Sequence, residues 1–180
     1  AEDVTAALSG TITKHTGTVT LTDLTNTLSG TSSDIAAAFA GTVTAQTASV
    51  TITNSNYTVA ELKTINAGTT GAIVLNNTGT ALSGSAADIV LALAGTITTH
   101  TGTVSVTDNH TLAELKAINN ATTGTITLNS YDVDLSGSSS DVAAALAGDF
   151  ASTYTGDVSL SDAHTLAQLK AINAATTGTI

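Results

Sequence analysis

Carboxylates are the side chains of this sequence whose type and spacing come nearest to a ligand site. An Asp follows equivalent strand-like stretches at Asp23, Asp108 and Asp162, and Asn54 takes that place in a fourth copy. Calcium takes about six to eight oxygen ligands, many of them from carboxylates. Four residues are candidate calcium ligands. Two are the strand-end residues Asp108 and Asp162, and two form an isolated Asp-x-Asp pair, Asp132 and Asp134. Asx turns that end strands explain the same residues without a metal.

The histidines favour structural roles. Each stands where another copy of the pattern has a different residue: Gln46 and Tyr154 match His15 and His100, and Tyr57 matches His110 and His164. A histidine that transfers protons or binds a metal should not be freely replaced by other residue types. These positions vary between copies of the pattern, which favours a role in a connecting segment. His110 and His164 also directly precede a helix start, where a hydrophobic staple residue stands.

The lysines recur at one position of the pattern, as Lys63, Lys116 and Lys170. A Schiff-base lysine needs a buried site that lowers its pKa, and nothing in the sequence indicates one. We expect a solvent-exposed row of lysines that pairs with nearby acids.

Motifs of catalysis are lacking. The sequence has no Gly-x-Ser-x-Gly, no phosphate loop, no dinucleotide fingerprint and no His-Glu-x-x-His. We therefore predict that the chain is not an enzyme and has no cofactor, with calcium as the one ligand left open.

An internal repeat positions all of these side chains. Two helix-start patterns alternate, Ser/Thr-x-x-Asp before an Ala-rich run and Thr-x-x-Glu/Gln-Leu-Lys-x-Ile-Asn. Their acidic or amide markers lie 26 or 27 residues apart, at Asp34, Glu61, Asp88, Glu114, Asp141 and Gln168. Both patterns are capping boxes, which predict a short helix in each unit. A clipped copy of the first pattern runs from Asp3 to Gly10.

Glycine and asparagine mark the predicted helix ends, because both residues tolerate the left-handed backbone that stops a helix. The Ala-rich helices should close at Gly10, Gly41, Gly95 and Gly148, and the others at Asn66, Asn119 and Asn173.

Alternating apolar residues after each helix predict a half-buried strand. The inward pairs are Val19/Leu21, Val50/Ile52, Ile73/Leu75, Val104/Val106, Ile126/Leu128 and Val158/Leu160. A strand and a helix in each unit predict an α/β solenoid of about 27-residue repeats, with a parallel sheet on one side and short Ala-rich helices on the other, like a leucine-rich-repeat coil. A parallel β-helix is the alternative. The longer connectors, such as residues 95–101, could hold an additional short strand.

The repeat also predicts the domain organisation. We expect a single solenoid segment over residues 1–180, with units near 3–27, 28–54, 55–81, 82–108, 109–134, 135–162 and 163–180. Both ends lie inside a repeat, so we expect the chain to belong to a longer array. Its partners should be neighbouring repeats, with end-to-end or lateral self-association.

Composition excludes several partners. The net charge is −10 and the only basic residues are four lysines, which disfavours nucleic acid. No apolar run approaches the roughly 20 residues of a membrane span, so we expect no membrane insertion. About a fifth of the residues are Thr. Flat ranks of Thr-x-Thr could bind ice, but the ranks are broken in this sequence, and Thr on the wet face of a strand explains them.

The repeats resemble those of very large cell-surface proteins of marine unicellular cyanobacteria, including the type linked to swimming without flagella. The resemblance rests on the units Thr-Leu-Ala-Glu-Leu-Lys-Ala-Ile-Asn (111–119) and Ser-Gly-Ser-x-x-Asp-Val-x-x-Ala-Leu-Ala-Gly, and it covers essentially the whole chain. It implies an extracellular, surface-attached, extended protein and transfers no active site. The expected function is that of a structural repeat module; the alternatives are an adhesin module that binds glycan or calcium and, more distantly, ice binding.

Overall fold

The structure is a computed structural model, and it describes residue 20 and residues 22–180. Six helices lie in this part of the chain: α1 (Ser32–Phe39), α2 (Val59–Gly68), α3 (Ala86–Ala92), α4 (Leu112–Ala121), α5 (Ser139–Ala145) and α6 (Leu166–Ala175). The strands there are β1 (Leu28–Gly30), β2 (Val50–Ile52), β3 (Ile73–Leu75), β4 (Leu82–Gly84), β5 (Val104–Val106), β6 (Ile126–Thr127), β7 (Leu135–Gly137) and β8 (Val158–Leu160). The protein is a mixed α/β structure, and the predicted pair Val19/Leu21 lies outside the described residues.

The chain divides into two compact units. The first comprises the described residues up to Thr80 together with Leu91–Thr98, and the second comprises Ala81–Val90 and Thr99–Ile180. The division into seven repeat units stays a prediction.

The first unit contains the parallel sheet β1-β2-β3 and the packed helices α1 and α2. Leu28, Val50 and Ile73 stand side by side in the register, and a single bridge adds Ile97 to Ile73. Each strand is paired with one 22 to 24 residues further along the chain. Successive turns of chain therefore lie beside each other in this unit.

The second unit repeats this arrangement. It contains the parallel sheets β4-β5-β6 and β7-β8, and α5 packs against both α4 and α6. A bridge from Ile126 to Phe150 continues the first of these sheets in the same way. The expected additional strand in residues 95–101 is reduced to single bridges at Ile97 and His100.

The helix starts confirm the capping patterns. The side chains of Thr58, Thr111 and Thr165 accept the N–H three residues on, and Glu61, Glu114 and Gln168 accept the cap's own N–H. In the Ala-rich helices, Thr31 and Ser138 cap α1 and α5, and Ser85 accepts the N–H of Asp88. These bonds are local, so the sequence pattern alone predicts them.

The predicted helix ends at asparagine are wrong. Helices α2, α4 and α6 each run two residues past that asparagine, to Gly68, Ala121 and Ala175. The side chains of Asn66 and Asn119 instead donate to the carbonyls of Leu91 and Ala144, at 2.6 and 2.7 Å. Each amide thus satisfies a carbonyl near the end of the following helix.

Glycine closes only some of the Ala-rich helices as predicted. Gly41 and Gly95 have φ of 101° and 72°, the left-handed conformation that favours glycine. Gly148 does not share it, and the prediction is wrong there. A Cβ on Gly148 would instead lie 2.2 Å from Oδ1 of Asn119. Close packing of the neighbouring helix explains this glycine.

The inward strand pairs are confirmed. Val50, Ile52, Ile73, Leu75, Val104, Val106, Ile126, Leu128 and Val158 are buried, and Leu160 is half-buried. The short Leu-Ser-Gly strands β1, β4 and β7 were not anticipated, because each has a single apolar residue and therefore shows no alternation.

A Thr-Thr-Gly segment follows each of the helices α2, α4 and α6 and forms hydrogen bonds with the preceding turn of chain. The first Thr is buried at Thr69, Thr122 and Thr176. The hydroxyl of Thr122 accepts the N–H of Gly124 at 2.9 Å and donates to the carbonyl of His100 at 3.0 Å. A Cβ on Gly124 would lie 1.9 Å from the carbonyl oxygen of Gly102. This turn therefore needs both a buried hydroxyl and a glycine.

Candidate functional site

The strand-end carboxylates cap helices of the adjacent turn of chain. Oδ1 of Asp108 accepts the N–H of Ala86 at 2.7 Å, and Oδ1 of Asp162 accepts the N–H of Ser139 at 2.7 Å. Asn54 makes the same bond to the N–H of Ser32 at 2.8 Å. A carboxylate at the first turn of a helix also meets the positive end of the helix dipole. An amide oxygen can accept the same N–H, which explains Asn54 in this series.

Asp23 behaves differently and forms an Asx turn. Its Oδ1 accepts the N–H of Thr25 at 2.9 Å. Hydrogen bonds from the hydroxyl and N–H of Thr25 lower the pKa of Asp23. The Asx-turn interpretation thus holds for Asp23, whereas Asp108 and Asp162 act between turns of chain.

Asp132 and Asp134 are exposed and have separate partners. Asp132 accepts the hydroxyl of Ser130, and Asp134 accepts the N–H of Asp157 at 3.0 Å. In the part of the chain that the structure describes, no group of three or more His, Cys, Asp or Glu side chains is placed to hold a metal ion. Calcium binding stays a prediction.

A buried histidine contacts a buried tyrosine in the second unit. Nε2 of His110 lies 3.0 Å from the hydroxyl of Tyr154, and this hydroxyl donates to the carbonyl of Val133 at 2.6 Å. Because the tyrosine proton is used there, Nε2 of His110 carries the proton that points at Tyr154. Nδ1 of His110 is buried without a partner. A second proton on Nδ1 would therefore have no acceptor, and the rings of His110 and Tyr154 lie edge to face with their centroids 5.9 Å apart.

Burial shifts the ionisation of both rings. Loss of solvent lowers the pKa of His110, and the charges of Glu114 and Asp108 oppose that shift in part. Burial raises the pKa of the Tyr154 phenol, with the carboxylates of Asp134 and Asp132 adding to the effect. Both groups are thereby kept uncharged near neutral pH.

Helices α4 and α5 are joined by an ion pair and a hydrogen bond from side chains of α4. Lys116 pairs with Asp141, and this contact lowers the pKa of the Asp141 carboxyl. Asn119 donates to the carbonyl of Ala144. A Cβ on Gly137 would lie 2.4 Å from Cδ2 of Leu112. A groove of about 670 Å³ remains between the two elements, lined by Leu112, Ala113, Lys116, Ala117, Gly137 and Asp141 among others.

Helix α6 carries the same residue types on an uncovered face. Leu166 is 83% exposed, and Lys170 and Asn173 are exposed, at the positions of Leu112, Lys116 and Asn119 in α4. Beside it, a cavity of about 460 Å³ is lined by Val158, Ser159, Leu160, His164, Leu169 and Ile180.

The known proteins give no guide to this surface. No protein family, curated protein or solved structure matches the chain. None of the helices within residues 22–180 has the length and apolar character of a membrane span. The contacts themselves must support any functional assignment.

Several residues that matter here were not anticipated from the sequence. They are the asparagines that bind carbonyls, Asn66 and Asn119, and the buried threonines Thr69, Thr122 and Thr176. The sequence does carry a signal for them, because the same residue type recurs 53 or 54 residues further along the chain.

Proposed function

We propose that this chain is a structural repeat module in which α/β coils stack as a solenoid, forming a scaffold within a large secreted or cell-surface protein. The observation that supports it most is the repeated cap between turns of chain, made by Asn54, Asp108 and Asp162 at 2.7 to 2.8 Å. The two partners of each bond are 22 or 23 residues apart. The same bond between adjacent turns of chain thus recurs in three copies of the pattern.

Several of the polar residues that repeat make bonds between turns of chain. Thr122 and Thr176 bind the carbonyls of the preceding turn of chain, and Asn66 and Asn119 bind those of the following one. A scaffold needs such bonds, because one short unit buries too little apolar surface to fold alone. The resemblance to giant surface proteins of marine cyanobacteria supports the same assignment and an extracellular location.

Changing the number of repeats tests this function. Ile73 and Ile126 occupy the same place in two units of the same type, which lie 53 residues apart. Excision of residues 73–125 therefore joins Ala72 to Ile126 and keeps the local sequence. Duplication of the same segment adds two units. We expect the melting temperature to rise from the excised chain through the natural chain to the duplicated one, because each repeat adds an interface.

Circular dichroism melts of the three chains give the answer. A shifted excision of residues 80–125, which breaks the repeat phase, is the control and should unfold. If the in-phase excision and duplication both abolish cooperative melting, the chain is a closed fold and the proposal is wrong.

A further inference from the structure

Tyr154 joins four turns of chain in the second unit. Its hydroxyl donates to the carbonyl of Val133 at 2.6 Å, and its own carbonyl accepts the N–H of Thr177 at 2.9 Å. Nε2 of His110, from a fourth turn of chain, lies 3.0 Å from the same hydroxyl. The imidazole of His110 therefore stands at the point where these turns of chain are held together.

His110 cannot gain a charge without a cost to this contact. The residue is 3% exposed, and its Nδ1 is buried without a partner. A protonated imidazole has two N–H donors, and the donor on Nδ1 would have no acceptor. A charged donor that is buried and unpaired is much less stable than the same donor in water. The protonated ring is therefore more stable in solvent than in its buried position.

We propose that protonation of His110 opens the second unit locally, so that its charged ring moves into solvent and residues 149–156 separate from residues 129–134. The closed state holds the neutral ring, and the open state holds the charged ring in water. This inference goes beyond the proposed scaffold function, because it assigns a conformational response to acid to one unit of the chain.

The hydrogen bonds beside Tyr154 identify the segments that separate. The N–H groups of Thr155 and Gly156 both donate to the carbonyl of Tyr131, at 2.7 and 3.0 Å. When the imidazole of His110 leaves, water reaches the Tyr154 hydroxyl and competes for its bond to the second segment. Segments held by a few hydrogen bonds open at a lower free energy than the whole unit. The bonds to Tyr131 should therefore be lost in the same step.

Four carboxylates surround the two rings. Glu114 in α4 and Asp108 before it act on His110, and Asp132 and Asp134 act on the tyrosine. Glu114 and Asp108 favour the charged imidazole, but burial outweighs them and holds the pKa of His110 below its ordinary value. The closed state therefore takes up the proton less readily than the open state.

This difference sets the direction and the size of the response. A solvated histidine has a pKa of about 6.5. Between that value and the lower pKa of the buried ring, the open state binds more protons than the closed state. Each unit by which the pH falls in this range shifts the equilibrium by up to about tenfold toward the open state.

The first unit provides an internal control. No histidine stands among the described residues of that unit. Tyr57 occupies the place of His110, and its buried hydroxyl donates to the carbonyl of Asn77 at 2.6 Å. Burial raises the pKa of Tyr57, so this residue gains no charge in acid. The first unit should therefore stay closed where the second one opens.

Amide hydrogen exchange, followed by NMR between about pH 7.5 and 5, tests the inference on the natural chain. The rate of each amide is divided by the rate in the unfolded chain at the same pH. Thr155 and Gly156 report on the second unit. Thr47 and Ala48 occupy the same places in the first unit and donate to the carbonyl of Leu24, both at 3.0 Å. We expect the protection of the reporters to fall by up to about tenfold per pH unit below about pH 6.5 and the protection of the controls to stay constant.

Two variants assign the response to one histidine. His110→Gln should abolish the dependence of protection on pH, because Gln gains no proton in this range. His100→Gln should keep it, although His100 is also buried in the second unit, with Nδ1 3.4 Å from the hydroxyl of Thr122. The slope with pH is compared rather than the level of protection, so a less stable variant still gives an answer. In the natural chain, the NMR signal of the His110 ring should titrate together with the loss of protection.

Three results would each overturn the inference. The His110 ring titrates while the reporter amides keep their protection, the reporter and control amides lose protection in parallel, or His110→Gln retains the slope of the natural chain. The melting series that tests the proposed function is independent of all three.

Discussion

At the residue scale, a short side chain with an acceptor oxygen makes the same hydrogen bond in three copies of the pattern. Asn54, Asp108 and Asp162 all accept the first N–H of a helix in the adjacent turn of chain. The charge is dispensable for this purpose, but the acceptor oxygen is not. Exchange between Asp and Asn is therefore informative about geometry and argues against a strict requirement for a carboxylate.

His110 should make the stability of the second unit depend on pH. Burial lowers its pKa, so between that value and the unfolded value near 6.5 the unfolded chain binds more protons. Stability is fully present above about pH 6.5 and falls as the pH drops below it, by up to about 1.4 kcal/mol for each pH unit. Denaturant unfolding between pH 8 and 5 measures the loss.

His110→Gln should remove this part of the pH dependence, because Gln has no proton to gain in that range. His164→Gln, at the exposed equivalent position, should leave it unchanged. An identical pH profile for His110→Gln and the natural chain would show that His110 is solvated in solution.

At the scale of elements, a strand and a helix from adjacent turns of chain stabilise each other. Strand β5 ends at Val106, and Asp108 just beyond it holds the first turn of α3. Helix α3 has only seven residues, too few to persist without such contacts. Its start is thus determined partly by a residue far along the sequence.

Substitution of Asp108 tests this cap. Asp108→Ala should cost about 1 kcal/mol of unfolding free energy, because the N–H of Ala86 loses its acceptor. Asp108→Asn should cost much less, since Asn54 makes the same bond in the first unit. Chemical denaturation measures both, with Asn109→Ala at the exposed neighbouring position as the control.

The same variants examine the calcium prediction. If Asp108 is a calcium ligand, calcium should raise the melting temperature of the natural chain and raise that of Asp108→Asn less. Equal losses for the Ala and Asn variants without calcium would contradict the cap.

At the scale of the whole molecule, the net charge opposes the expected self-association of the chain. The chain has 14 Asp and Glu residues against four Lys, for a net charge of −10. Two copies therefore repel each other at long range, and ions screen that repulsion beyond roughly 10 Å at 0.1 M salt.

Self-association should consequently strengthen as salt rises from about 0.02 to about 0.3 M. It should also strengthen as the pH falls toward the sequence pI of about 4.3. Sedimentation velocity across both titrations measures this. Association that weakens steadily with salt would mean that ion pairs dominate the contact between copies, and would contradict this prediction.

The sequence by itself determined the helix starts and the inward faces of the strands. Thr111 with Glu114 could be read directly, because a capping box joins residues three apart and needs no tertiary contact. Val104 and Val106 followed from strict alternation. The mixed α/β class with parallel sheets followed from the regular return of these two signals.

Tertiary structure alone decided what bonds cross between turns of chain. The asparagines Asn66 and Asn119 looked like helix ends, yet each binds a carbonyl 25 residues away. Strands β1, β4 and β7 exist because a neighbouring strand supplies their hydrogen-bond partners. Bonds over such separations depend on how one turn of chain is placed against the next, which local preference does not specify. A short polar side chain can satisfy either a local or a distant partner, and packing selects between them.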